Sequence, residues 1–158
     1  MMNGETMSTT RIQRHIKAPR HQVYQALVTA TSVENWMVPD GMTSEVHDFE
    51  SREGGFFRIS LTYDDGSGAG KSSAHTDTYH GRFVKLVPDE MVVETMEFES
   101  SDPSMQGEMT VTFTLSDADG GTGLLAVHEG VPAGVSPADN EAGWTMSLDK
   151  LAKLVEAN

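Results

Sequence analysis

The residues that decide the fold run from Ser136 to Val155, SPADNEAGWTMSLDKLAKLV. Ser136 is an N-cap residue type, and Pro137 suits the first helical position, where its missing N–H costs nothing. Asp139 places an acid three residues after the cap. Trp144, Leu148, Leu151 and Val155 then recur at helical spacing, with Asp149, Lys150 and Lys153 among the polar positions. The spacing predicts a long amphipathic helix, and such a helix needs a sheet to cover.

Upstream of it the apolar period is two. Leu124 to Glu129 reads as the last strand, and Asp119-Gly120-Gly121 as the hairpin turn before it. Met109, Val111, Phe113 and Leu115 alternate with threonines. Ser100 to Gln106, with Asp102-Pro103, is a longer connection. Met91 to Glu99 and Thr76 to Val87 are strands joined at Pro88-Asp89. Asp64 to Ser73 is a glycine- and serine-rich loop. Phe57, Ile59, Leu61 and Tyr63 alternate with polar residues, Gly54-Gly55 marks a turn, and Glu45 to Glu50 is a weak strand. At the start, Arg11 to Lys17 reads as a strand and Pro19 opens a helix with Val23, Ala26, Leu27 and Ala30 on its apolar stripe. Thr31-Ser32-Val33-Glu34 has the capping-box pattern of a second short helix carrying Trp36, which Pro39-Asp40-Gly41 ends. This order predicts one α+β domain over residues 11–157, with two short N-terminal helices and an antiparallel sheet under a long C-terminal helix. Residues 1–10 are expected to be a disordered tail.

The 24 acidic residues outnumber the 11 basic ones, giving a formal charge of −13. An acidic surface repels phosphate backbones and anionic lipid, so neither nucleic acid nor a membrane is an expected partner. With no cysteine, disulfides and thiolate-built metal sites are impossible, a composition that suits the cytoplasm. No apolar run approaches the ~20 residues of a membrane span, and the start lacks the order of a signal peptide.

Several short motifs then fall in a fixed order. They are Ala18-Pro19 with Val23 to Leu27; Trp36 and Pro39; Asp48; Gly54-Gly55-Phe56-Phe57-Arg58; Gly81-Arg82-Phe83; and Pro88-Asp89-Glu90 with Thr95. Gly121-Thr122, His128-Glu129-Gly130, and Gly143-Trp144 with Leu148 to Leu154 complete the series. The chain thereby resembles the SRPBCC or START-like superfamily, which includes the birch-pollen-allergen-like proteins. It looks most like bacterial relatives of the C-terminal domain of the activator of the heat-shock-protein-ninety ATPase. The resemblance implies a helix-grip fold, a curved sheet wrapped on the long helix with an internal cavity between them. It does not imply one activity, because one fold hosts many. The eukaryotic activator contacts its chaperone through a separate N-terminal domain, so no chaperone contact is expected of this chain.

Gly66-Ser67-Gly68-Ala69-Gly70-Lys71-Ser72 imitates a phosphate-binding loop. The position that needs glycine is Asp65, however, and strand patterns flank it on both sides. His75 and Asp77 would share a strand face with His80 nearby, but no third converging ligand or helical histidine pair accompanies them, so no metal is expected. No cofactor is expected either, and there is no nucleophile elbow. The candidate acid–base residues are Glu141, which falls on the helical stripe of Trp144, Leu148 and Val155, and His128, which shares a parity with Leu124 and Ala126. Tyr63 is a candidate hydrogen-bond donor. Glu94 alternates with Met96 and Phe98, which would turn it inward as a ligand-binding candidate unless a bulge resets the register; the alternative is an acid on the outer face of the sheet. Trp36, Phe57, Ile59, Tyr63, Met96, Phe98, Met109, Phe113, Trp144 and Leu148 complete the expected cavity lining.

A binder of a small, mostly apolar or aromatic molecule is expected ahead of an enzyme. A cyclase- or dehydratase-like enzyme acting on a carbonyl compound is the second expectation, and a chaperone-interacting module the third. A homodimer is compatible with the sequence and is not required by it.

Overall fold

The computed structural model describes residues 7–63 and 76–157. Ser8–Ile16 is β1, Arg20–Leu27 is α1, Ala30–Trp36 is α2, Met42–Phe49 is β2 and Phe56–Tyr63 is β3. Thr76–Val87 (β4) and Met91–Phe98 (β5) follow, then a 3-10 turn over Pro103–Met105. Met109–Ala118 (β6), Gly121–Val131 (β7) and Pro137–Glu156 (α3) complete the chain. All seven strands join one antiparallel sheet in the order β1-β7-β6-β5-β4-β3-β2. This is the α+β helix-grip arrangement, with α3 held against the concave face.

Period-two alternation explains the inner face. Phe57 and Ile59, Tyr79 and Phe83, Val92 and Met96, then Met109, Val111, Phe113 and Leu115 are all buried on it. Gly81 lets β4 and β5 pair at close range, since a Cβ there would run into the carbonyl oxygen of Thr95. The β6–β7 hairpin turns through Asp119 and Gly120 at φ +46° and +78°, the positive-φ pair that a two-residue turn favours.

The long helix forms as its sequence dictates. The Ser136 hydroxyl accepts a hydrogen bond from the Asp139 N–H at 3.3 Å, and Pro137 opens the first turn. Leu148, Leu151, Ala152 and Val155 are 0–3% exposed and share one hydrophobic core with the inner face of the sheet. Arg14 of β1 reaches Asp149 at 3.0 Å. Lys150 donates to the carbonyl of Val38 at 2.7 Å and pairs with Asp40 at 3.2 Å. The helix is therefore tied at both flanks.

Some local expectations fail for physical reasons. β1 starts at Ser8, because it pairs with β7 as far as Val131, and Thr10 is buried rather than part of a tail. β2 and β7 are likewise longer than their apolar patterns, since partner strands extend them. Pro19 is the residue before α1 rather than its first. The Thr31–Glu34 capping box does not form. α2 begins at Ala30 with Thr29 at the N-cap position, two residues before Thr31, and has no side-chain cap, and Glu34 instead accepts from the Val46 N–H at 3.0 Å. The glycine-rich Gly66–Ser72 loop and His75 lie outside the described residues. No helix among the described residues is long and apolar enough to cross a membrane.

Candidate functional site

Along α3 the inward residues change character. The C-terminal half carries large aliphatics, whereas the first turns offer Asn140, Gly143 and Ser147. The aliphatics fill the concave face and the small residues do not, so a cleft of about 530 Å³ opens beside the N-terminal half of α3. Its floor is Leu61, Tyr79, Met96 and Met109 on the sheet, and its sides are the 37–42 connection, Met105 and α3. The cavity expected between the sheet and the long helix is thus a cleft beside one end of that helix, open to solvent.

Methionine dominates the wall. Met37, Met42, Met96, Met105, Met109 and Met146 all line it, six of the ten in the chain. Their unbranched, polarisable side chains adapt to differently shaped apolar partners. Sequence reasoning placed only Met96 and Met109 there, because Met37, Met42, Met105 and Met146 stand in a connection, at a strand start, in a turn and on a helix flank, where no apolar period marks them.

His128 is the most constrained polar group at the cleft. The Trp144 Nε1–H donates to its Nδ1 at 3.0 Å. Indole nitrogen can only donate, so Nδ1 is the acceptor and the imidazole proton sits on Nε2. Asn140 Nδ2 lies 3.1 Å from the same nitrogen and 2.9 Å from Thr10 Oγ1, one proton for each. Nε2 faces Met109 Sδ at 3.1 Å. Burial lowers the His128 pKa to about 4. The ring is therefore neutral at pH 7, with its basic nitrogen already occupied. It holds Trp144 in the wall and is not poised to take a proton from a ligand.

The remaining expected residues separate into three groups. Tyr63, Met96, Phe98, Met109, His128 and Trp144 come together on the wall. Trp36, Phe57, Ile59, Phe113 and Leu148 do not line it. They are buried core, with Phe113 edge-on to both Trp36 and Trp144 at 6.1 and 5.8 Å, because they stand over the filled half of the concave face. Glu141 lies on the correct stripe but is exposed. Asn140 rather than Glu141 meets the sheet in this turn, bonding Thr10 of β1 and His128 of β7, and the buried residues of α3 begin only at Trp144, so Glu141 stays in solvent.

Glu94 does face inward, as its parity requires, and is 6% exposed. It stands opposite Phe83 on β4 and Val111 on β6, and Val111 stands opposite His128, so Glu94 and His128 share one row across the sheet. Burial raises the Glu94 pKa to about 8. The Tyr79 hydroxyl is also pushed up, by burial first and by Glu94 second. Asp77, missed as a lining residue because it was weighed only as a metal partner, is buried at the cleft wall. His80 points to the opposite face, where it and Arg58 bind Glu99 at 2.8–2.9 Å. That bidentate Arg58 contact, helped by His80, holds the Glu99 pKa to about 2.

The sequence model of the family described as Activator of Hsp90 ATPase homolog 1-like protein matches residues 17–156. The chain belongs to this family. The crystal structure of protein CV1439 from Chromobacterium violaceum is 31% identical, with a TM-score of 0.84 over 94% of this chain and 96% of that one. The AHSA1-like protein from Aeromonas hydrophila, solved in solution, is 18% identical with a TM-score of 0.69 over 95% and 93%. A Rhodobacter sphaeroides protein is also 18% identical, with a TM-score of 0.77 over 97% and 98%. These last two show the fold alone. No curated protein matches the chain.

Proposed function

We propose that this member of the family binds a small, mostly apolar molecule in the cleft between the sheet and the N-terminal half of α3. The observation that carries the proposal is the concentration of six flexible methionine side chains around one open space of about 530 Å³, in the range of small-molecule sites. Trp144 and Tyr79 add flat apolar faces, and Tyr63, Asn140 and Ser147 supply a few polar contacts to orient a ligand. Binding without covalent chemistry fits best, because His128 has its basic nitrogen occupied and Glu141 stands outside the cleft.

Thermal-shift screening against lipids, polyketide-like and aromatic compounds tests this directly. A stabilising class is expected, and its effect is lost in Gly143→Leu, which puts bulk into the cleft from a position whose added Cβ meets only Pro39, at 3.8 Å. A stable Gly143→Leu protein that still responds to the same compounds removes the cleft as their site.

A further inference from the structure

The charges around the cleft suggest which apolar molecules it accepts, an inference that rests on the binding function just proposed. Among the described residues its lining contains no lysine or arginine, but three aspartates, Asp40, Asp77 and Asp139. Lys150 answers Asp40, and no lysine or arginine on the described wall would answer a carboxylate or phosphate brought in by a ligand. The whole chain carries −13, which further disfavours anions and draws cations.

Behind this wall stands an acid with no evident structural purpose. Glu94 is more than nine-tenths buried, and burial is the one influence on its carboxyl, with no neighbouring cation or hydrogen bond offsetting it. Its neighbour on the same face, Met96, lines the cleft, as does Tyr79, which feels the Glu94 charge. Met96 is the kind of side chain that moves aside cheaply. The titratable groups on the concave face around Glu94 are Tyr79 and Asp77 on β4 and His128 on β7. Its own strand and β6 present only apolar residues there, and α3 presents none deeper than Asp139 at the rim.

We propose that the ligand is an apolar molecule carrying an amine, and that Glu94 answers the ammonium charge by releasing its proton when the ligand seats. The balance is simple: the carboxylic acid becomes a carboxylate, its proton passes to buffer, and the ligand stays an ammonium ion. The burial that keeps Glu94 protonated in the empty protein is offset only when a cation arrives. Aromatic Trp144 and Tyr79 present faces that also favour a cation.

The test is calorimetry at pH 7 with three matched probes, 1-naphthylmethylamine, 1-naphthalenemethanol and 1-naphthoate, in buffers of different protonation enthalpy. The amine is expected to bind about tenfold or more tighter than the alcohol, with the carboxylate weakest and close to one proton released per amine bound. In Glu94→Gln, which keeps the shape of the protonated acid, proton release disappears and the amine loses its advantage over the alcohol. Glu94→Leu provides a second folded control and gives the same two losses. Equal or tighter binding of the naphthoate, or undiminished proton release in both variants, overturns the proposal. Equal binding of alcohol and amine overturns it too while leaving the apolar cleft standing. Failure of all three probes to bind counts against the cleft itself.

Discussion

Replacing Glu94 by Gln should change how stability depends on pH more than it changes stability at any one pH. The folded protein holds the Glu94 proton up to about pH 8, while the unfolded chain releases it near 4.5. Between those values the native state binds one more proton than the unfolded state, so stability falls as pH rises, by ~1.4 kcal/mol per pH unit. At pH 7 this comes to about 3 kcal/mol as an upper figure, since any water reaching the carboxyl reduces it. Below pH 4.5 the penalty is absent, and above pH 8 it is complete. Gln carries no such term. Urea denaturation of both proteins from pH 5 to pH 8 should therefore show curves that diverge steadily, the variant becoming the more stable. At pH 7 the melting temperatures should differ by roughly 6–12 °C beyond their difference at pH 4.5. The subtraction cancels His128 and Glu99, which both proteins share. Parallel stability profiles across this range would refute the claim that Glu94 is a buried, neutral acid.

Trp144→Phe removes one of the two donors to His128 Nδ1 and should cost about 1–2 kcal/mol. It should also raise the His128 pKa from about 4, measured by NMR titration of the ring; an unmoved pKa contradicts the bonding described. Because burial keeps His128 neutral while the unfolded imidazole charges near 6.5, stability should fall as pH drops from 6.5 toward 4, and His128→Gln should flatten that limb. Gly143→Ala should stabilise the protein by about 0.5–1 kcal/mol, since the helix gains propensity and the new methyl meets only Pro39. Glu141→Gln should leave both melting temperature and ligand affinity within error, because that side chain is exposed and outside the cleft.

What the sequence made legible was periodic. The cap at Ser136, the stripe through Trp144 and Val155 and the alternation of Phe57 to Tyr63 or Met109 to Leu115 each repeat a local rule, and the element order followed from them. The fold itself came from a resemblance carried by many weak motifs, each short of decisive alone. The site was harder to read, because position along an element matters as much as the face a residue occupies. Glu141 and Leu148 share a stripe, yet one stands in solvent and the other in the filled core, a difference of depth that angles alone do not encode. Phe57 and Met96 both point inward, but only Met96 lies under the unfilled end. Met37, Met42 and Met105 belong to irregular segments that become a wall only when the chain closes. Asn140 gains its role from Thr10 and His128, partners 130 and 12 residues away. The strand limits at Ser8 and Val131 likewise depend on each other across the sheet rather than on their own composition.

The central claim is that the methionine-walled cleft is where a ligand goes. Methyl-¹³C labelling of methionine, with spectra recorded as neutral 1-naphthalenemethanol is added, examines it residue by residue. Met96, Met109, Met42, Met37, Met105 and Met146 should shift or broaden together and saturably, while Met7 and Met91, which lie outside the wall, stay in place. Saturable shifts confined to Met7 or Met91, or a cleft set that remains still while the compound binds, would contradict the account.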